Sequence, residues 1–439
     1  MANTKKTGSP SKTNATAGVT PNPSANMKRQ YAEPKFVPLK PGEFLPGEVG
    51  EYPQANQYDS AHGVLRKLPP RDPQAPDFMN LEDVLGTGAV QQITQAGQLV
   101  FHSVGDTGAD KQFRIKAEED VAATMANELS VSNLAERPAF FYHLGDVVYE
   151  FGQADCYYGQ FYEPFCMYNA PIFAIPGNHD GMVWSDTPPS LAAFLDNFCS
   201  PVVEHAENAS SLHRTKMNQP GVFFTLEAPF ASIVGLYSNT PDKGAGVIST
   251  PDPVSQSSAV GQSQKNFLIR EIKRLADAKA AGNGKAFILA IHHPPFKGSN
   301  TSVKSLCNDL DDAFNKGGLW PDLVLSGHEH EYSRYTRTVN GRQIPYLIAG
   351  NGGYNITPNS SFSPPSDPNA KVPQQLAQNN PALRAYIKAF GYMKIKVRSD
   401  KVAVVFNSTD PAYGHAADTI LLDLKTHQLT EGPKGVEPL

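Results

Sequence analysis

The chain has 439 residues, a formal net charge of −5 and an apolar fraction of 40%. This balance shows no basic excess, so it does not favour a nucleic-acid-binding surface or an acidic membrane surface as a partner. No run of about 18 or more apolar residues is present, so the sequence predicts no transmembrane helix. The four cysteines, none of them in a C-x-x-C pair, are too few for a disulfide scaffold.

The N-terminal part of the chain differs in composition from the rest. Residues 1–30 contain lysine and arginine but no acidic and almost no apolar side chains, which predicts a disordered tail. The tail lacks the apolar core of a secretory signal, so we expect a cytoplasmic protein. Residues 31–94 form a proline-rich extension, which we expect to pack partly on the main domain through apolar side chains such as Phe36 and Leu45. The main domain is predicted to span residues 95–430.

From about residue 97 onward, short apolar runs alternate with helical patterns. Runs with strand character cover 98–104, 139–144, 171–175, 221–226, 231–237, 286–292, 322–326, 344–349, 392–397 and 401–406. The clearest helix is predicted over 264–281, with one apolar face and Gly282 just beyond its end. This alternation predicts an α/β fold, and the late strands suggest a second sheet. The polar stretches 238–263 and 355–381 are predicted loops at the rim of the domain.

Five of the predicted strands run into residues that can bind metals or transfer protons. These blocks are "GDTG" with Asp106, "GDVVY" with Asp146 and Tyr149, "PGNHD" with Asn178, His179 and Asp180, "HHPPF" with His292 and His293, and "SGHEH" with His328 and His330. Taken alone, most of the blocks are ordinary turns or packed histidines. The carboxyl ends of strands in an open α/β sheet form the ligand-binding edge, so we expect these side chains to converge. Carboxylate, imidazole, amide and phenol ligands without thiolate suit iron, manganese or zinc.

The ordered blocks "GDTG", "GDVVY", "GNHD", "LAIHHP" and "GHEH" resemble the calcineurin-like metallophosphoesterase superfamily. Within it they are similar to the purple acid phosphatase, or tartrate-resistant acid phosphatase, branch. Two features carry this finer resemblance: Asp106-Thr107-Gly108 in place of the Asp-x-His of many other branches, and Tyr149 after Gly145-Asp146. The resemblance implies a four-layer α/β/β/α sandwich of two mixed sheets. It also implies a phosphatase that hydrolyses a phosphomonoester with a metal-activated hydroxide at a dinuclear centre.

The same resemblance implies two metal ions and their ligands. The implied ligands are Asp146 as the bridge, Asp106, Tyr149 and His330 for a first ion expected to be Fe(III), and Asn178, His292 and His328 for a divalent iron, zinc or manganese ion. A phenolate is a hard anionic oxygen ligand, which favours trivalent iron at the first position.

Residues around these ligands are candidates for contact with the substrate. His179 is the candidate for binding the phosphate or protonating the leaving group, a role that suits an imidazole near neutral pH. Asp180 is expected to orient His179. Asn178 and His293 are further candidates for substrate contact. Purple acid phosphatases usually carry another histidine shortly after the "H-x-P" block, whereas this sequence offers Lys297 there.

Three other functions are alternatives to this hypothesis. A phosphodiesterase or nucleotide hydrolase of the same superfamily would use the same ligands, because the motifs determine the metals and not the substrate. A non-catalytic metal-binding or scaffolding protein would normally lose ligands, and none of the seven is missing here. An aspartic protease needs two carboxylates that share a proton, and only one Asp-Thr-Gly occurs. The expected partner is therefore a phosphorylated small molecule or another phosphoester.

Overall fold

The computed structural model describes residues 74–109, 112–149, 151–182, 190–239, 248, 256–297, 301–302, 304–357, 372 and 374–439. The predicted disordered tail and most of the proline-rich extension lie outside these residues. So do large parts of the two predicted rim loops.

Strands and helices alternate along most of the described chain. The strands are β1 (Phe78–Asn80), β2 (Leu99–Val104), β3 (Phe141–His143), β4 (Ile172–Ala174), β5 (Phe224–Ala228), β6 (Ala231–Leu236), β7 (Ala286–Ile291), β8 (Phe296–Lys297), β9 (Thr301–Ser302), β10 (Leu323–Ser326), β11 (Tyr332–Val339), β12 (Arg342–Ala349), β13 (Ala382–Ile387), β14 (Gly391–Val397), β15 (Lys401–Ser408), β16 (Asp418–Asp423) and β17 (Leu429–Glu431). The α-helices are α1 (Leu81–Leu85), α2 (Thr87–Ala96), α3 (Gln112–Glu128), α4 (Asn178–Gly181), α5 (Ala192–Phe198), α6 (Gln256–Ala280), α7 (Lys304–Gly317) and α8 (Gln374–Ala377). Short 3-10 or π turns cover Ala154–Cys156, Tyr158–Tyr162 and Glu207–Ala209.

The first sheet contains eight of these strands, in the order β1-β5-β6-β7-β10-β12-β11-β13. Its centre is parallel, with Ile233 of β6 opposite Ile288 of β7 and Ile288 opposite Leu323 of β10. Strand β7, "AFILAI", is buried along its whole length. An unbroken apolar strand is what a position covered on both faces requires.

The second sheet contains seven strands, in the order β17-β16-β15-β14-β2-β3-β4. Strands β2, β3 and β4 are parallel, and β14 runs antiparallel to β2 with Ile395 opposite Phe101. The late strands β14 and β15 therefore do not form a sheet of their own, as their position in the sequence suggested. They extend the sheet that begins with β2.

The two sheets pack face to face around one apolar core, which includes Phe101 from the second sheet and Ile288 from the first. Helices α6 and α7 cover the outer face of the first sheet, where Leu268 packs in a cluster with Leu289. Helix α3 lies outside the second sheet, and its Glu128 forms an ion pair with the outward-facing Lys394. The layers are thus α/β/β/α, and the predicted fold class is confirmed.

The sheet begins before the predicted start of the main domain. Strand β1 pairs in parallel with β5, with Phe78 opposite Thr225, and α1 and α2 follow it. The predicted boundary at residue 95 falls inside α2. None of the described helices combines the length and apolarity that a membrane span needs.

Candidate metal centre

The loops that carry the predicted site residues lie at the carboxyl ends of five parallel strands. Three of these strands, β2, β3 and β4, belong to the second sheet, whereas β7 and β10 belong to the first. The loops meet along one edge of the sandwich. The site is therefore built from both sheets at the ligand-binding edge of the fold.

One group of ligand atoms surrounds the Tyr149 hydroxyl. This oxygen lies 3.0 Å from Asp106 Oδ1 and 3.1 Å from Asp146 Oδ2. It also lies 3.4 Å from His330 Nε2, which is itself 3.4 Å from Asp106 Oδ1. The four residues that were predicted to hold the first ion thus present their ligand atoms to one another.

A second group of ligand atoms surrounds the Asn178 side-chain oxygen. Asn178 Oδ1 lies 3.1 Å from His292 Nε2 and 3.0 Å from His328 Nδ1. His292 Nε2 is 3.3 Å from Asp146 Oδ2, the carboxylate oxygen that also contacts Tyr149. The two groups therefore share a single atom, Oδ2 of Asp146.

The hydrogen bonds of the histidines fit a pair of cations. His292 directs Nδ1 at the Leu144 carbonyl oxygen, 2.8 Å away, so a neutral ring presents the lone pair of Nε2 to Asn178 and Asp146. Three acceptors then face one another, an arrangement that a positive ion satisfies. His330 likewise directs Nδ1 at Thr357 Oγ1 and Nε2 at the ligand group. Ligand atoms about 2.0–2.2 Å from one ion lie about 3 Å apart, which is the spacing seen here.

The backbone at three of these ligands adopts a left-handed conformation. Asp106, Asp146 and His328 have φ angles of 57°, 53° and 70°. Such a conformation costs on the order of 1–3 kcal/mol for a residue other than glycine. The close approach of the loops also explains Gly177, where a Cβ atom would lie 2.1 Å from Asp146 Oδ1. The surrounding structure thus holds these three ligands in a backbone conformation that their own residue types disfavour.

The charges of the site act strongly on its ionisable groups. Burial raises the pKa of Asp146, but the charges of His292 and His179 outweigh burial and hold it well below its usual range. Burial lowers the pKa of His292, yet Asp146 raises it to about 9. Burial and the carboxylates of Asp106 and Asp146 raise the pKa of Tyr149, so its phenol keeps the proton. A metal cation bound there would reverse this balance.

A comparison with protein families agrees with this geometry. Residues 101–332 match the calcineurin-like phosphoesterase family. The chain belongs to this family. The predicted enzyme class, a phosphoester hydrolase, is confirmed, and the family implies a phosphoester substrate.

A comparison with solved structures found several similar chains, among them the following three. GAP50, the anchor in the inner membrane complex of Plasmodium, is 15% identical, with a TM-score of 0.50 over 77% of this chain and 90% of that chain. The purple acid phosphatase PPD1 from yellow lupin seeds is 12% identical, with a TM-score of 0.48 over 74% of this chain and 54% of that one. PhoD is 14% identical, with a TM-score of 0.47 over 78% and 72%. At this identity the match to GAP50 shows a shared fold and no more. A comparison with curated proteins gave no match.

In this phosphoesterase, Asp180 lies beneath the ligands and is buried. Its carboxylate accepts hydrogen bonds from the backbone N–H groups of Val147, at 3.0 Å, and Gly177, at 2.8 Å. Burial and the nearby Asp146 charge raise the pKa of Asp180 to about 7. The described hydrogen bonds of Asp180 thus hold two ligand loops together. Its predicted orientation of His179 stays a prediction.

Two of the three predicted substrate-contact residues of the phosphoesterase, His179 and His293, differ in exposure. His179 is partly exposed, its backbone N–H binds Asp146 Oδ1 at 2.8 Å, and its ring centroid lies 4.4 Å from that of Tyr149. His293 is only 2% exposed and packs behind the ligand His328, with 4.2 Å between ring centroids. The Ser238 hydroxyl lies 2.8 Å from its Nδ1. His179 therefore lies at the opening of the site, whereas His293 supports it from behind.

Several residues outside the predicted set hold the phosphoesterase ligands in place. Tyr354 stacks on Tyr149 with 3.6 Å between ring centroids, and Thr357 contacts His330. Both belong to the run "GNGGYNIT", which follows the buried strand β12 at the same edge of the fold as the other loops. That position was the signal that could have indicated a role at the site.

Proposed function

We propose that the protein is a phosphomonoesterase of the purple acid phosphatase type with a dinuclear metal centre. One observation carries this proposal: Oδ2 of Asp146 lies 3.1 Å from the Tyr149 hydroxyl and 3.3 Å from His292 Nε2. A carboxylate that serves two groups of ligands is what two neighbouring ions require. The two groups formed by the remaining ligand atoms support an assignment of one group to each ion.

The ligand types support different ions at the two positions. Tyr149 and Asp106 offer hard oxygen ligands that suit Fe(III), together with His330. Asn178, His292 and His328 suit a divalent iron, zinc or manganese ion. When bound, such a pair of ions lowers the pKa of a coordinated water towards about 7 and stabilises charge on the phosphoryl group.

The chain's own residues position the substrate and handle the proton of the leaving group. His179 is partly exposed at the opening, and its backbone is held by Asp146 Oδ1. Its imidazole is the group that protonates the leaving oxygen, a step that typically contributes about 10²–10⁴-fold to the rate. Asp180 supports this arrangement by fixing the backbone of the loop that carries His179. The oxygen atoms of the substrate phosphate would lie between His179 and the ligand groups.

The test is metal analysis and a visible spectrum of the purified protein and of Tyr149→Phe. We expect about two metal ions per chain, with an absorption band from phenolate bound to oxidised iron that the variant loses. The variant keeps the ring, so a purely structural tyrosine would lose only about 0.5–1.5 kcal/mol of folding free energy. If iron-loaded, oxidised wild-type protein shows no band that Tyr149→Phe removes, the purple acid phosphatase assignment is wrong.

A substrate panel then separates the phosphomonoesterase from its alternatives within the family. We expect faster hydrolysis of phenyl phosphate than of bis(phenyl) phosphate or a nucleoside triphosphate. Preference for the diester or for the nucleotide would support a phosphodiesterase or nucleotide hydrolase. Fully loaded protein that hydrolyses none of the three would support a non-catalytic role.

A further inference from the structure

Residues 350–357 pack behind the ligand group that surrounds the Tyr149 hydroxyl. The backbone N–H of Tyr354 donates to the carbonyl oxygen of Asp106 at 3.0 Å. The N–H of Thr357 donates to the carbonyl oxygen of His330 at 3.2 Å. This segment therefore contacts two ligands of the group that includes Tyr149. Its side chains are candidates for holding those ligands in place.

The Tyr354 ring lies directly on the Tyr149 ring. Their centroids are 3.6 Å apart and the ring planes differ by 9°. Tyr149 is already held at its hydroxyl by Asp106 and Asp146. The stacked ring restrains the remaining freedom of Tyr149, which is rotation of the ring out of its plane. The Tyr354 ring also meets the His330 ring edge-on at 5.1 Å.

The other face of Tyr354 carries a positive charge. The guanidinium carbon of Arg114, from helix α3, lies 4.2 Å from the Tyr354 ring centroid. Tyr149 covers one face of Tyr354, so Arg114 must lie over the opposite face. A cation over an aromatic ring is attracted to its π electrons. Neither face of Tyr354 is then open to a ring of the substrate, so Tyr354 is not a platform for an aromatic leaving group.

We propose that Tyr354 is a positioning residue for Tyr149. We also propose that the positive charge of Arg114, held over the stacked rings, raises the reduction potential of the ion bound at Tyr149. The inference rests on the iron centre proposed above. The stack fixes the direction of the Tyr149 oxygen, and residues that hold a ligand in this way typically account for about 10–100-fold in metal affinity. The Arg114 charge favours the less positive state of the ion, Fe(II), because like charges repel.

The first experiment compares iron retention in Tyr354→Leu and Tyr354→Phe. The leucine variant removes the stack but keeps the backbone hydrogen bond to Asp106, and we expect it to lose iron to a chelator about 10-fold faster or more. Its visible band should also shift or broaden. The phenylalanine variant keeps the stack and should retain iron and the band like wild type. Tyr413→Leu, at a half-exposed tyrosine in the turn after β15, controls for the general effect of the substitution.

The second experiment measures the reduction potential of Arg114→Met, which keeps the side-chain length and removes the charge. We expect a lower potential than in wild type, seen as an Fe(III) to Fe(II) ratio at least about threefold higher at the same redox poise. A residue that acts only through packing would leave this ratio unchanged. This substitution leaves both rings of the Tyr149–Tyr354 stack unchanged, so it also tests the inference if Tyr354→Leu fails to fold.

The outcomes separate this inference from the proposed function. Wild-type protein with the iron band, but with equal iron retention in Tyr354→Leu and an equal ratio in Arg114→Met, overturns the inference alone. Wild-type protein without the band overturns the iron centre, and the inference falls with it.

Discussion

Nδ1 of His292 donates a hydrogen bond to the carbonyl oxygen of Leu144, 2.8 Å away. His292 follows β7 of the first sheet, and Leu144 follows β3 of the second, two residues before Asp146. This bond fixes the orientation of the imidazole and turns Nε2 towards the Asp146 carboxylate. A contact between the two sheets thus decides which nitrogen faces the metal centre.

Asp146→Asn should weaken both metal sites at once, because the neutral amide removes the charge that both ligand groups share. Asn178→Ala should affect chiefly the divalent ion, because Asn178 Oδ1 contacts His292 and His328, the two predicted histidine ligands of that ion. Elemental analysis of the purified variants gives the number of each ion per chain. Retention of both ions in Asp146→Asn would show that Asp146 is not the bridge.

His179→Ala should slow the hydrolysis of an alkyl phosphate more than that of p-nitrophenyl phosphate. An alkoxide leaving group needs a proton in the transition state, whereas p-nitrophenolate departs without one. We expect a loss of about 10²–10⁴-fold in kcat for the alkyl ester. An equal loss for both esters would assign His179 to phosphate binding and not to proton transfer.

Gly177→Ala should remove metal ions while the fold survives. A Cβ atom at this position would lie 2.1 Å from Asp146 Oδ1, so the two ligand loops would have to separate. Gly88→Ala is the matched control, because a Cβ atom there meets nothing within 4 Å and Gly88 lies in helix α2. The control should be as stable as wild type or up to about 1 kcal/mol more stable. Metal analysis and thermal unfolding of both variants test this pair.

Glu128 should make the folding free energy depend on pH in acid. Burial raises the pKa of this carboxyl, but His102, Lys394 and Tyr392 lower it to about 2, from a usual value of 4.5. A carboxyl with a lowered pKa stabilises the fold above about pH 4.5, and this stabilisation is lost as the pH falls towards 2. Its size is roughly 3 kcal/mol.

The measurement is the free energy of unfolding of wild type and Glu128→Gln between pH 7 and pH 2. The difference between them should shrink as the pH falls from about 4.5 towards 2. Burial lowers the pKa of His102 and Glu128 partly offsets this, so proton uptake by His102 in the unfolded chain below about pH 6.5 destabilises the variant at least as much as wild type, and the comparison is made below pH 4.5. A constant difference down to pH 2 would show that Glu128 keeps its usual pKa.

The sequence predicted strands well where burial depends on apolar side chains and poorly where it depends on charge pairs. Strand β7 is apolar throughout and was predicted within one residue. Strand β11, "YSRYTRTV", was missed because its polar side chains hide its burial. Arg334 is only 2% exposed there, and its guanidinium binds Asp418 at 2.7 Å and Glu431 at 3.1 Å. Those partners lie on late strands, so no local pattern could indicate them.

The same distinction applies to the site. The ligands stand in short motifs whose order is specific, so their positions could be predicted from the sequence. The contacts of Tyr354 and Ser238 could not, because each is made with a residue distant in the chain, Tyr149 or His293. The position of Tyr354 after β12 indicates the ligand-binding edge, but no local pattern indicates which residue its ring meets.

The antiparallel pairing of β14 with β2, in which Lys394 stands opposite His102, bears on how the protein is made. Strand β2 leads into Asp106, yet its partner β14 is synthesised almost 300 residues later. A ribosome releases the chain from its N-terminal end, so the early ligands emerge long before His330 and before β14. The metal ions should therefore enter only after nearly the whole polypeptide has left the ribosome, and a truncated product that ends before β14 should capture neither ion.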